Sequence, residues 1–473
     1  MPSLHEESRP ASQRQAELPD LALPVRGSGT RRPAHIVGHR RRYVPVPAKF
    51  ALASGLAFAW LGFSVWLSLP WLHSLAKDMT WPLAVLAIAV LAYAPGWLVA
   101  FMAASLVLDR QPPLRRSSPQ PPVTVLLPAH NEAERIADTL QYLARQDYDG
   151  PMHVIVIDNA SSDSTLATAR KAASELELSA GVLSAPTQGE SHALNAALRY
   201  VETDIVITLD ADTALHPSAV SNLVARYQSS PSDVTAVAGA VLARNSRDNI
   251  WTRMQEWDYF LGIASVKRMQ GLYQGTLVAQ GAFSLYETEA VRRVGGWPDA
   301  IGEDIVLTWR LMEGERRVYF EPTAIAFTEV PSHIGHFCRQ RSRWARGMIE
   351  GIRSVKPWRQ PRPMTAMLAG IDLLLPLIDL AYTFLWMPGI VLACFGLYWF
   401  VGIYTAAVLP LTLLINFLLF RYQHKRVFVP LDLKVRRNLR GLVCYVLFYQ
   451  MLMSPVSVAG YAQELLGLRR RWK

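Results

Sequence analysis

Long apolar runs stand on both sides of a polar middle, and this arrangement limits the fold before any motif is considered. Residues 49–72 and 82–108 are each long enough to cross about 30 Å of hydrocarbon as a helix. A short loop through Lys77 and Asp78 joins them as a hairpin. Apolar sequence resumes at Met364 and runs to Phe420, enough for two further spans around 366–390 and 397–420. In lipid every backbone polar group needs an internal partner, so such runs have to be helical. Residues 110–363 are then left as a separate, water-facing unit.

Charge orients this arrangement. The net charge of +10 comes from 48 Lys and Arg against 38 Asp and Glu. Nucleic-acid binding is the usual reading of such an excess, but here much of it lies beside the apolar runs, where it marks the cytoplasmic side. Arg40–Arg42 precede the first run, Arg115 and Arg116 follow the second, and the loop from Arg421 to Arg440 is strongly basic. The polar middle is therefore placed in the cytoplasm, in contact with membrane lipid and with no nucleic-acid partner. A last apolar segment, 441–463, is ambiguous. A single crossing would leave Arg469–Arg471 outside, against the positive-inside tendency, whereas a break at Pro455 would give a re-entrant or interfacial hairpin. Residues 1–47 are rich in Pro, Arg, Ser and Glu and are expected to be disordered. They do not read as a signal peptide, which would begin sooner and have a shorter apolar core. Cys338, Cys394 and Cys444 are far apart and make no ligand or CxxC spacing, so reduced thiols are expected. The expected organisation is a basic tail (1–47), two membrane helices (48–109), a cytoplasmic domain (110–363) and a C-terminal membrane region of two or three spans (364–467).

Within the middle unit, short β-branched runs alternate with helical patterns. Strands are predicted at Val123–Leu127, Val154–Ile157, Asp204–Leu209, Thr235–Leu242 and Leu277–Leu285. Helices are predicted at 132–145, 163–179, 190–200, 215–228 and 250–270. This alternation predicts an open, mostly parallel α/β sheet with helices on both faces. Ligands of such sheets bind at the carboxyl ends of the strands, and polar residues gather there. Pro128-Ala129-His130-Asn131-Glu132 follows the first strand, Asp158-Asn159 the second, and Asp210-Ala211-Asp212 the third. Two carboxylates spaced like Asp210 and Asp212 can bind a hard divalent cation, Mg2+ or Mn2+, that also holds a diphosphate. Asp158, His130 and Asn131 are read as donor-binding residues on the same edge. Asp163 is better read as a helix cap. The small residues Gly281 and Ala282, with Phe283, would admit a ligand or simply allow close sheet packing. The aromatic-rich stretch from Ile250 to Met269 fits either the membrane interface or the inside of the domain.

The densest chemistry lies between Gly302 and Trp344. Glu303 and Asp304 are adjacent carboxylates ahead of an amphipathic run, able to take a proton. Gln340, Arg343 and Trp344 fall at i, i+3 and i+4 and so share one face of a helix. A guanidinium there can hold a leaving phosphate, and an indole can stack on a sugar ring. His333 and His336 have no partners for a metal site and read as structural.

In the order Asp158, Asp210-Ala211-Asp212, Gly302-Glu303-Asp304 and Gln340-Arg341-Ser342-Arg343-Trp344, these motifs resemble the family 2 processive glycosyltransferases of membranes. That group holds the cellulose, chitin, hyaluronan and poly-N-acetylglucosamine synthases. The resemblance runs from about Val123 to Trp344 and includes the flanking membrane hairpins. It implies a GT-A (Rossmann-like) domain between membrane helices and an inverting reaction that makes β linkages from an α-linked UDP-sugar. It also implies roles. Asp158 contacts uridine, Asp210 and Asp212 hold donor and metal, and Asp304 is the base. Gln340 and Arg343 meet the diphosphate, and Trp344 stacks under the growing glycan acceptor. The motif around Gln340–Gly347 looks most like the poly-β-1,6-N-acetylglucosamine synthases, which implies UDP-N-acetylglucosamine as donor, the bacterial inner membrane as location and a small membrane subunit as partner. Two positions depart from the pattern: Gly302 stands where relatives often have Thr, and Glu190 where they usually have Lys. Two other readings stay open. One is a transferase adding a single sugar to a lipid carrier; the other is a non-catalytic nucleotide-sugar-binding subunit of a synthase complex.

Overall fold

The computed structural model describes residues 43–468, apart from the side chains of 403–407. The basic tail up to Arg42 and the Arg469–Arg471 cluster lie outside the described residues. Eight strands form one sheet: β1 (Val123–Ala129), β2 (Met152–Asn159), β3 (Ala180–Ala185), β4 (Ile205–Leu209), β5 (Ala214–Leu215), β6 (Val234–Ala243), β7 (Phe283–Glu287) and β8 (Arg317–Thr328). Their order is β3-β2-β1-β4-β7-β6-β8-β5. The pairs β3/β2, β2/β1, β1/β4 and β6/β8 are parallel, while β7 runs antiparallel to both its neighbours. All five residues of β4 are buried, as expected of an apolar run covered on both faces. Four of the five predicted helices are present but shorter than their patterns: Ile136–Ala144, Thr165–Glu175, Glu190–Leu198 and Ala219–Gln228.

The predicted strands need correction in two places. The expected strand Leu277–Leu285 begins only at Phe283. Upstream, side chains take the backbone groups that a neighbouring strand would have used. The Ala279 N–H donates to Thr308 Oγ1 (2.9 Å), the Leu277 N–H to Gln270 Oε1 (3.2 Å), and the Leu277 carbonyl accepts from Trp309 Nε1 (3.0 Å). Conversely, β8 goes unpredicted because Glu321-Pro322-Thr323 interrupts its apolar pattern. The register jumps there from Gly239↔Glu321 to Ala240↔Ile325, a bulge that leaves Pro322 out of the ladder. Glu321 is buried and tolerated because Arg226 Nε lies 2.7 Å away.

Of the two courses left open for the last apolar segment, the break at Pro455 is not present. The stretch Leu439–Leu465 is continuous helix, a π-turn at Tyr445–Tyr449 preceding the proline. Among the described residues four helical stretches are long and apolar enough to cross a membrane: Val46–Asp78, Trp81–Val107, Pro363–Cys394 and Leu439–Leu465. The further span expected around 397–420 corresponds to the 21-residue helix Ile403–Gln423.

The first hairpin and the Pro363–Cys394 helix meet far from the sheet, in a cluster of Leu72, Leu75, Ile88, Leu91, Ala381 and Phe400. The Leu439–Leu465 helix behaves differently and touches the sheet domain near both ends. Trp257 Nε1 donates to the Asn438 carbonyl (2.9 Å) at one end, and Arg346 Nε pairs with Glu464 (3.1 Å) at the other. The aromatic stretch forms helices Ile250–Trp257 and Val266–Leu272 with a π-helical segment, Asp258–Ser265, between them. It packs inside the molecule: Trp257 meets Phe420 at 5.3 Å and Phe260 meets Phe428 at 5.5 Å, ring to ring.

Candidate active site

The parallel strands deliver their polar followers to one edge. Ala129 at the end of β1 is in register with Asp158 on β2, which places His130 and Asn131 beside the β2 turn. Asp158 is buried and accepts the Ser161 N–H (3.3 Å). His130 Nδ1 donates to the Asn159 carbonyl (2.7 Å), since a carbonyl can only accept, and this leaves Nε2 as an acceptor facing Gln188 and Asn131. Asn131, with φ +56°, accepts the Ser162 N–H through Oδ1 (2.8 Å). Asp163 accepts the Thr165 N–H (3.0 Å) from the residue before the helix's N-cap, Ser164, so it does not itself cap the Thr165–Glu175 helix as expected.

Beyond β4, the Asp210 N–H donates to the Ala282 carbonyl (3.3 Å), and Asp212 Oδ1 accepts from the hydroxyls of Thr213 (3.3 Å) and Thr328 (3.4 Å). Gly189, at φ +138°, donates its N–H to Asn159 Oδ1 (3.0 Å) and opens the Glu190–Leu198 helix. A Cβ added at Gly281 would lie 3.0 Å from Glu190 Oε1, so the bare glycine accommodates that carboxylate. Phe283 does not join the site: it is fully buried, packed against Gly239 in the core.

Asp304 stands in the first turn of the helix Glu303–Glu313, where the dipole favours an anion. That helix is docked on a second one, Ile334–Ser354, through small residues. A Cβ on Gly302 would sit 2.9 Å from Gly347 Cα, and one on Gly351 would sit 2.7 Å from Ile305 Cγ2. Glu350 Oε2 accepts the Ile301 N–H at 2.6 Å. Gly302 thus makes a backbone-to-backbone contact that no residue with a Cβ could make at this distance. Arg343 lies one turn before Gly347, so the same docking brings its exposed guanidinium toward the carboxylates.

The result is a buried cluster of five carboxyl groups, Glu190, Asp210, Asp212, Glu303 and Asp304, opposed by Arg343, Lys267 and Arg135. The Asp210 carboxyl is pushed well above the ordinary range, first by burial and then by Glu190 and Asp212, with Arg343 opposing. Glu303 is likewise well above it, through burial, Glu190 and Asp304. Burial also raises Glu190 and Asp212, opposed by Arg343 and Arg135 respectively. Asp304 is raised by burial and held back by Lys267, the Ile305 N–H and Arg343. Lys267, buried and hydrogen-bonded to Gln280, is pushed down to about 8 by burial, with Asp304 opposing. Lys267 was missed in the sequence because it belongs to the aromatic stretch, whose pattern carries no catalytic signal.

Among the described residues no group of three or more His, Cys, Asp and Glu side chains is placed to hold a metal ion. Asp210 and Asp212 still fit one. Mg2+ commonly takes one or two protein carboxylates and fills its shell with substrate phosphate and water, and this pair sits in uncompensated negative charge. In the Gln340–Trp344 segment, Gln340 Oε1 is buried without a hydrogen-bond partner among the described residues, and Trp344 is half-buried.

Comparison with known proteins agrees with this geometry. Residues 119–347 match the model of the glycosyltransferase-like family 2. The poly-beta-1,6-N-acetyl-D-glucosamine synthase of Staphylococcus aureus (strain COL) is 32% identical over 226 residues, 48% of this chain and 54% of that protein. The same-named enzyme of Staphylococcus epidermidis is 30% identical over the same shares. The chain thus spans about half the length of the relatives it matches. Among solved structures, a mannosyltransferase of Pyrobaculum calidifontis in complex with GDP-Man and Mn2+ superposes with a TM-score of 0.57 at 21% identity, over 81% of this chain and 99% of that one. With carboxylates at the strand ends, an arginine on a docked helix within electrostatic reach of them, and apolar helices on either side, residues 119–347 form a glycosyltransferase-like family 2 domain of the GT-A fold.

Proposed function

We propose that this protein is a processive, inverting glycosyltransferase of the bacterial inner membrane that polymerises a β-linked polysaccharide from UDP-N-acetylglucosamine and feeds the product across the membrane. The observation that carries this reading is the docking of Gly302 on Gly347, which sets Asp304 and Arg343 on two packed helices, both within electrostatic reach of Asp210. The choice of donor rests on the similarity to the staphylococcal synthases.

In this reading the uridine lies near Asp158, His130 and Asn131, and the sugar diphosphate points toward Arg343 and Gln340. Asp304 accepts the proton of the acceptor hydroxyl. That oxygen bonds to the anomeric carbon from the side opposite the diphosphate, and the sugar–phosphate bond breaks with its electron pair leaving on UDP. Backside attack converts an α donor to a β product. A raised proton affinity suits Asp304 to this work, because a base is most effective near the working pH. Arg343 offsets the charge that develops on the diphosphate. Mg2+ or Mn2+ held by Asp210 and Asp212 would supply the remaining positive charge there. Trp344 stacks under the acceptor sugar.

The domain faces the cytoplasm, as the basic Arg421–Arg440 loop supports. The Leu439–Leu465 helix, held to the domain near both ends, lies along the membrane interface instead of crossing it. Leu468 then stays on the cytoplasmic side. A small membrane subunit completes the assembly.

The test is UDP release by the purified protein in lipid nanodiscs, with Mg2+ or Mn2+, across a panel of UDP-sugars. Turnover with UDP-N-acetylglucosamine, lost in Asp304→Asn, supports the proposal. Turnover confined to UDP-glucose would overturn the donor assignment and point to Glu190 as the altered determinant.

A further inference from the structure

Arg341 is the one side chain of the Gln340–Trp344 segment that is both charged and fully buried, at 1% exposure. A charge is not left in such a place without compensation. Its Nη2 lies 2.9 Å from Asp258 Oδ2, and the Tyr449 hydroxyl donates to the same oxygen at 2.7 Å. Its guanidinium carbon stands 4.0 Å from the centroid of the Trp344 indole, 5.3 Å from Phe337 and 5.7 Å from Tyr259. One planar cation therefore joins three elements: the Ile334–Ser354 helix, the π-helical segment Asp258–Ser265 and the C-terminal apolar helix around Tyr449.

We propose that Arg341 is a positioning residue for Trp344. Its guanidinium stacks on one face of the indole, fixes the ring's orientation, and leaves the ring's exposed surface to the acceptor. Asp258 and Tyr449 hold the guanidinium in that plane, so the C-terminal helix takes part in setting the acceptor platform. Arg341 itself touches neither donor nor base. The inference rests on the assignment of Trp344 as the acceptor-stacking residue made above.

The planar guanidinium of Arg341 matters in this arrangement, because a lysine keeps the charge beside Asp258 and loses the flat stack on the indole. The test uses the full-length protein in nanodiscs with UDP-N-acetylglucosamine and Mg2+, reading product length and UDP release separately. Arg341→Lys should shorten the product about tenfold, the effect of losing one desolvated cation–π contact. UDP release and the donor KM should stay within about threefold of the parent. Tyr449→Phe, which removes only a hydroxyl, should shorten the product in the same sense by a smaller factor. It decides the matter if Arg341→Lys does not fold. A purely structural role would instead lower UDP release and product length together, and that result would overturn the inference. Trp344→Ala separates the two levels. If it shortens the product while Arg341→Lys and Tyr449→Phe do not, the inference fails and the acceptor assignment stands. If Trp344→Ala leaves product length unchanged, the acceptor assignment fails and takes the inference with it.

Discussion

Replacing Gly347 with alanine would place a Cβ 3.0 Å from Gly302 Cα and 3.1 Å from Gly302 N. Carbon atoms in ordinary contact stand about 3.5–4.0 Å apart, so the two helices would have to separate by roughly 0.5–1 Å. Neither contact atom can swing aside, because both belong to backbone two residues ahead of Asp304. The displacement therefore falls on the distance between Asp304 and Arg343, which sit on opposite sides of this contact. A misplacement of about 1 Å in a reacting constellation can cost about 100-fold in rate, and the overpacking should cost about 1–3 kcal/mol of stability. We expect Gly347→Ala to lower kcat for UDP release by about 10- to 100-fold, with a smaller change in donor KM, because the residues proposed to hold uridine are on the far strands. Gly181→Ala on β3 is the control: nothing lies within 4 Å of its added Cβ, and it should be neutral. The assay is UDP release per mole of monodisperse protein in nanodiscs, at saturating donor. A Gly347→Ala protein with kcat within twofold of the parent would refute the claim that this contact sets the site.

Four further outcomes follow from the structure. Because Asp304 must be ionised to act as a base and its carboxyl is raised by burial, kcat/KM should fall as pH drops through a midpoint above the ~4 of an ordinary carboxylate. Lys267→Met removes a cation that opposes that rise, so the midpoint should move further up; a downward or absent shift in the pH profile would contradict the pairing. Glu321→Gln should destabilise the protein by about 3–5 kcal/mol, since it leaves Arg226 buried against a neutral partner, and thermal unfolding in detergent measures this. A cleavable tag after Lys473 should be digested from the cytoplasmic face in inverted membrane vesicles; protection there would show that the Leu439–Leu465 helix crosses the membrane.

The sequence disclosed a good part of this arrangement and concealed the rest for identifiable reasons. β1, β2, β4 and β6 were legible because covered parallel strands are nearly continuous apolar runs, and the carboxylates that follow them mark the ligand-binding edge. β8 was hidden by Glu321 and Pro322, which read as a loop until Arg226 and the register jump explain them. The false strand start at Leu277 came from treating apolar composition as ladder pairing, whereas its backbone is satisfied by Thr308, Gln270 and Trp309. Lys267 and Arg341 were invisible as site elements for a different reason. A cation on a helix reads as solvated unless tertiary packing buries it, and no local pattern records that burial. Gly302 stood out only as a departure from the pattern, and its contact with Gly347 gives the glycine a purpose.

The central claim is that one active site extends a chain repeatedly before releasing it. Its most direct measurement is the length distribution of the glycan made from UDP-N-acetylglucosamine in nanodiscs, sampled when only a small fraction of donor has been consumed. A processive enzyme gives long chains from the earliest time points, with little material of intermediate length, and gives none in Asp304→Asn. A single added sugar accumulating first, or a length that grows in step with donor consumption across all acceptors, would contradict the account.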